Sequence, residues 1–355
     1  MKYKKSALDV SFNWIFVLIA GAAILVFFIF LISSQKDKSE SNMALTIKTN
    51  LKSVFSGAAL SQDRQLDIDI PAVNLMFTCD YSSCSDFSIS NSPTCLSQYE
   101  IGTTGINEPT GSQIIFASTE ISGKKIFTWT LPWNVPFFVT NFLFVAGPNN
   151  HFLFIDSSEQ EILNMFNTFP DKMNKELLHL DNLDSYSFGP LPHIQLIFMN
   201  SDMESLELPT KLITSTDQDK ISAINILPQS QVIDFYYLDE GNFYLEESIP
   251  YLSDTEIYAA IFSSNADFYK CNMQKAMNRY HIISEIIKQR SDFLYDYYSA
   301  TACQIFYLNS ANGLQQIYDG SYIFSIENIN NLASASQILK SANQAVKEKS
   351  CPQLY

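Results

Sequence analysis

Residues 12–32 form an unbroken run without a charged side chain, the longest apolar stretch in the chain. Its 21 positions make, at about 1.5 Å per residue, a helix of roughly 30 Å, the thickness of a bilayer's hydrocarbon core. A core helix rarely shows apolar residues all round, and a cleaved signal peptide carries an apolar stretch of only about 7–15 residues. The run is therefore expected to be a transmembrane helix (residues 12–32) behind a short cytoplasmic tail (residues 1–11). A polar stretch without Gly or Pro follows, and then Ile47, Leu51, Val54 and Ala58 recur at helical spacing. Two arrangements fit residues 33–62: one helix continuing from about residue 7 to 60, or a flexible stalk between two helices.

The period then changes. In residues 63–148, a β-rich region that contains cysteines, Leu66, Ile68 and Ile70 alternate with Asp67 and Asp69, and residues 74–78 predict a second strand. Residues 114–120 and 125–131 flank Ser122-Gly123, the pattern of a hairpin. Pro132 and Pro136 interrupt the pattern before residues 137–145, where Phe142-Leu143-Phe144-Val145 predicts a strand buried on both faces. Residues 149–250 read as an α/β region. Strands are predicted at 152–155, 194–199, 221–227, 232–238 and 243–246. A helix carrying Ile162, Leu163 and Phe166 follows the first of them, and a second short helix is expected at about 171–179. Residues 251–355 read as an antiparallel helical bundle. Its long helix spans about 266–298, a shorter return helix carries Ile305, Phe306 and Ile317, and a third has Ile329, Leu332, Ser336, Leu339, Asn343 and Val346 on one seam. The expected fold class is α+β: an N-terminal transmembrane helix, a β-rich and α/β ectodomain, and the C-terminal bundle.

Charge and cysteines add an address. Lys2, Lys4 and Lys5 precede the span, while Lys36 and Lys38 after it are offset by Asp37 and Glu40. The positive-inside rule keeps such an amino terminus in the cytoplasm and sends the remainder outside. A net charge of −15 excludes a strong electrostatic grip on nucleic acid, which needs clustered cations. Six cysteines, Cys79, Cys84, Cys95, Cys271, Cys303 and Cys351, predict three disulfides in an exported domain, with 15 pairings open in principle. Three antiparallel helices favour Cys303–Cys351, with Cys271 joined to the early cluster; without the middle helix, Cys271–Cys351 becomes the better pair. Zinc is the rival reading of the early cluster, but Cys79-x4-Cys84-x10-Cys95 lacks paired short-spaced knuckles and has no nearby His.

Little in the pattern carries chemistry. Phosphate-binding glycine loops, the nucleophile elbow and the His-Glu-x-x-His metal motif are all missing. His151, His179, His193 and His281 stand apart in sequence. Asp156-Ser157-Ser158-Glu159-Gln160 follows a strand and opens a helix, which is similar to the cation site of von Willebrand A-type domains. Gln160 stands there in place of the second serine, removing an oxygen ligand, and a serine helix cap explains the segment equally well. The acidic pairs Asp67/Asp69 and Glu246/Glu247 read as solvated strand faces, and Tyr295, Tyr297 and Tyr298 as packing at the end of the long helix. No catalytic residue, cofactor or metal is assigned, so a binding or structural role is favoured over an enzyme.

Two resemblances bear on location. Lys4-Lys5-Ser6-Ala7 before the apolar helix resembles archaeal type IV pilin-like leader segments, which implies cleavage after the basic cluster and packing of the helix in a filament core. Ser6 replaces the usual Gly or Ala, and no Glu sits five residues beyond the cut. Residues 11–16, 129–144, 269–279 and the terminal Cys351-Pro352-Gln353-Leu354-Tyr355 resemble a group of uncharacterised single-pass membrane proteins of archaea, implying location but no activity. The expectation is a single-pass cell-membrane protein with an extracytoplasmic, disulfide-stabilised ectodomain. Its partners would be the lipid bilayer through residues 12–32 and other envelope proteins, not nucleic acid. The alternatives are an anchored extracytoplasmic enzyme, hydrolytic or cation-dependent, working near Asp156, and a pilin-like filament or secretion subunit.

Overall fold

The first helix, α1 (Ser6–Ala59), is continuous over 54 residues in the computed structural model. Described are residues 6–85, 95–102, 106–156, 160–179, 181–182, 193–203, 206 and 218–355, without the side chains of residues 6–17, 31–41, 83, 85, 106 and 156. Of the two arrangements for residues 33–62, the structure has the single helix. Its second half buries Ala44, Ile47, Leu51, Phe55 and Ala58, a seam spaced three and four residues apart that faces one side. Beside the seam, Lys48 and Lys52 reach the carboxylate of Glu108 at 2.7 and 2.6 Å, fixing the helix at one sheet edge. Among the described residues, no helix is long and apolar enough to cross a membrane. The predicted span falls partly outside the described side chains, at residues 12–17 and 31–32.

The seam packs on a six-stranded sheet built from β1 (Gln65–Asp80), β2 (Leu96–Ile101), β3 (Ile106–Pro109), β4 (Ile115–Ala117), β5 (Glu120–Asn134) and β6 (Phe138–Ala146). Strand order is β3-β2-β1-β5-β6-β4, antiparallel except for the parallel pair β4–β6. The two predicted strands at 66–70 and 74–78 are one strand, β1, whose register against β5 shifts between Asp69 and Val73. The expected hairpin at Ser122-Gly123 is absent: β5 runs straight through both residues, which pair with Asn74 and Val73 of β1. Gly123 is needed there for close approach. Its φ is +142°, and a Cβ would stand 2.8 Å from Cγ of Pro148, so only glycine lets the strand pass beneath the following turn. The apolar run in β6 is buried on both faces as expected. Leu143 and Val145 meet α1's cluster, while Phe142 and Phe144 join the central core.

A second six-stranded sheet contains β7 (Asn150–Asp156), β8 (Lys175–His179), β9 (His193–Met199), β10 (Ile221–Leu227), β11 (Val232–Asp239) and β12 (Asn242–Pro250), in the order β12-β11-β10-β9-β7-β8. The four strands β8, β7, β9 and β10 are parallel, with α2 (Gln160–Thr168) connecting β7 to β8. The short helix expected at 171–179 is corrected to a turn followed by β8. Lys-Glu-Leu-Leu-His favours a helix locally, but pairing along the edge of β7 overrides that weak preference. Glu240 and Gly241, both at positive φ, make the tight turn between β11 and β12 that the sequence predicts.

Helices α3 (Asp254–Phe262), α4 (Ala266–Tyr297), α5 (Gln304–Gly320) and α6 (Ile326–Glu348) complete the chain. α3 and the first half of α4 lie between the two sheets in one core with Trp129, Trp133, Phe142, Phe144, Phe152 and Phe235. α4, α5 and α6 pack antiparallel. Ser291 meets Ser310 at 3.1 Å, His281 stacks on Tyr318, and Gly313 lets α5 approach Ile338 of α6. The predicted seam is buried at Ile329, Leu332, Ser336, Leu339 and Val346.

Candidate functional site

All six cysteines are bonded, as Cys79–Cys271, Cys84–Cys95 and Cys303–Cys351. Antiparallel packing of α5 and α6 brings Cys303 to Cys351, and Cys271 joins the early cluster through β1. The sulfurs of Cys84, Cys95 and Cys271 lie within 4.8 Å of one another. They do so as two adjacent disulfides, a state that offers no thiolate to a metal.

The other sequence-selected groups do not converge. Asp67 pairs with Lys172 at 2.9 Å and Asp69 with Lys125 at 3.8 Å, both on an exposed strand face. Glu247 pairs with Lys270, while Glu246 accepts from the amide of Ala266 at 3.2 Å, at the start of α4. His151 faces Glu176 at 3.5 Å, and burial holds both its pKa and that of His193 below the usual value. His179 lies beside exposed Asp181, and the ring of His281 contacts the carbonyl of Tyr318 at 2.9 Å. Tyr298 meets Tyr297 edge-on and Tyr307 at a tilt, and Tyr297 is exposed. Asp156 ends β7 opposite His179; Ser157, Ser158 and Glu159 lie outside the described residues.

Topology does build a cavity at the carboxyl end of the second sheet. The chain leaves β7 toward β8 on one side and returns to β9 on the other, so the connections diverge there, the usual place for a ligand in open α/β sheets. A cavity of about 510 Å³ opens between α2, the ends of β9 and β10, and the first turns of α3. Glu161, Asn164 and Thr168 line it from α2, and Tyr251, Asp254 and Tyr258 from the segment entering α3. Each has a local cause. Asp254 and Glu161 occupy first helical turns, where the exposed amides favour carboxylates. Burial, reinforced by Asp254, Glu161 and Glu256, raises the pKa of Tyr251. The phenol of Tyr258 is pushed up to about 12 by burial, against a hydrogen bond with Thr168. Its polar lining has two carboxylates, phenols, hydroxyls and an amide and, among the described residues, no basic group. Such a wall accepts hydrogen bonds from a polyol or an ammonium group and repels a phosphate or a developing oxyanion.

Two further buried ionisable groups, Glu256 and Lys275, have no counterpart among the sequence expectations. Glu256, fully buried, accepts from Trp133 Nε1 at 2.7 Å and from the amide of Leu252 at 3.1 Å. Lys275 sits beneath the β3–β4 turn and donates to Thr110 Oγ1 at 2.7 Å and to the Gln113 carbonyl. Trp133, the partner of Glu256, and Thr110 and Gln113, the partners of Lys275, stand more than a hundred residues away, so their burial leaves no mark in local spacing. The chain matches no protein-family model, no curated protein and no solved structure.

Proposed function

We propose that the chain is a single-pass membrane-anchored protein of the cell envelope whose disulfide-locked ectodomain binds other envelope components. The observation that carries this reading is the division of α1. From Ala44 to Ala58 its apolar seam is buried in the protein, whereas Leu18, Ile19 and every residue from Ile24 to Phe30 is apolar and 56–72% exposed. Apolar surface of that extent calls for lipid or other helices around it. Three disulfides using all six cysteines support an oxidising compartment for the remainder, and the amino-terminal lysines support a cytoplasmic tail. The acidic cavity beside α2 is the place where this reading puts contact with a polyhydroxylated or cationic envelope component.

A second reading, a pilin-like filament subunit, is favoured by the unbroken helix from Ser6 to Ala59, since a stiff rod docked on a sheet suits assembly through its apolar half. Intact mass spectrometry of membrane-extracted protein, before and after reduction and alkylation, separates the readings. The anchored reading expects residues 1–6 retained and a mass six hydrogens below the reduced chain. A chain beginning at Ala7 would replace it with the filament reading, and six free thiols would overturn the extracytoplasmic assignment.

A further inference from the structure

A second cavity, of about 610 Å³, lies between α4 and the edge formed by β2 and the β3–β4 turn. Its size falls in the range of about 300–1,000 Å³ typical of small-molecule sites. Leu96, Pro109, Ile282 and Ile283 give it apolar walls, and Leu96 and Ile282 are largely exposed. Two cations, Lys275 and Arg279, stand one turn apart on the same face of α4 and line it. Among the described residues none that lines it is acidic, in a chain whose net charge is −15.

Lys275 is 9% exposed. Its ammonium is met only by neutral acceptors, the Thr110 hydroxyl and the Gln113 carbonyl. An ammonium has three N–H groups, so one remains without an acceptor among the described residues. Burial holds its pKa down, at about 7, and among the described residues no carboxylate raises it. Glu108, the acid of β3, is already taken by Lys48 and Lys52 of α1. Arg279 is exposed and forms no ion pair among the described residues. Burial thus leaves Lys275 about half protonated near pH 7, and a ligand that brings negative charge beside it restores the full cation and pairs it.

We infer that this cavity binds a single-chain amphiphile with an anionic head, a carboxylate or phosphate monoester, the head held between Lys275 and Arg279 and the chain laid along Ile282, Ile283 and Leu96. The inference does not rest on the anchored reading, since the cavity is built wholly within the folded part of the chain.

The test is native mass spectrometry of the full chain in non-ionic maltoside micelles, titrated with decanoate, decyl phosphate, decan-1-ol or decylamine. One saturable equivalent of decanoate or decyl phosphate is expected, with little occupancy by the alcohol or the amine. The tighter of the two anions distinguishes a free acid from a phospholipid-type head. Arg279→Gln, an exposed change that leaves packing alone, is expected to weaken binding about tenfold or more, the scale of one charged hydrogen bond. Lys275→Met is expected to abolish it, and Ile282→Trp to block the chain while leaving both charges. Equal occupancy by all four probes, unchanged affinity in Arg279→Gln, or inorganic phosphate binding as tightly as decyl phosphate would each overturn the inference.

Discussion

Glu256 shows how one residue can answer to two distances along the chain. Ser253-x-x-Glu256 has the spacing of a capping box, with the carboxylate turned back to the start of α3. That much is local. The burial that sets its charge comes from the central core, and its hydrogen-bond partner Trp133 stands 123 residues earlier; neither leaves a mark in a spacing pattern. Burial raises the carboxyl to about 7, against the lowering effect of its three hydrogen bonds. The native state therefore binds this proton more tightly than the unfolded chain. The stabilisation is complete below about pH 4.5 and is lost as pH rises through about 7. A shift of this size corresponds to about 3 kcal/mol. Urea unfolding of wild type and Glu256→Gln across pH 4.5–8 checks it: wild type should lose about 3 kcal/mol relative to the variant as pH rises. His151 and His193, held low by burial, act in the opposite sense, and the difference between the two proteins removes their contribution.

Elements were readable where one face or one period dominated. The seam of α1 and the three C-terminal helices carry a period that burial then follows, and the apolar runs of β6 and β10 become strands buried along most of their length. β8 and the first part of β5 were not readable, because strand pairing at a sheet edge and the approach of Pro148 to Gly123 are tertiary facts. Of the disulfides, Cys303–Cys351 and the joining of Cys271 to the early cluster were legible, but not that Cys79 is its partner and Cys84 pairs with Cys95. The cavity residues Glu161 and Asp254 were not, since nothing local relates α2 to the start of α3. The docking of α1 yields a direct prediction. Phe55 is fully buried among Phe77 and Tyr99, and Phe55→Ala should cost about 3–5 kcal/mol by loss of contact and the cavity left behind. Hydrogen exchange should then show amides 44–59 losing protection while those of β10 keep theirs. Uniform loss across both elements would mean that the helix and the second sheet unfold as one unit.

At the scale of the whole molecule, the layers run α1, first sheet, central helices, second sheet, and the central core joins residues from all three predicted ectodomain regions. Cys79–Cys271 is the covalent counterpart of that shared core, tying β1 to α4 across a sequence separation of 192. Cys303–Cys351 closes 48 residues within the bundle, and Cys84–Cys95 closes 11 beside the first sheet. If a crosslink acts mainly by restricting the unfolded chain, stabilisation grows with the logarithm of the closed loop, to about 5, 4 and 3 kcal/mol respectively. Replacing each pair by serines should therefore lower the denaturant midpoint in the order Cys79/Cys271, then Cys303/Cys351, then Cys84/Cys95. The chain-entropy argument also requires the refolded structure to be unchanged, which near-ultraviolet circular dichroism of the three variants would establish. A larger effect from Cys84/Cys95 than from Cys79/Cys271 would reverse the argument. It would mean that the short disulfide holds native packing around β2 and the neighbouring cavity, where Cys95 forms part of the wall.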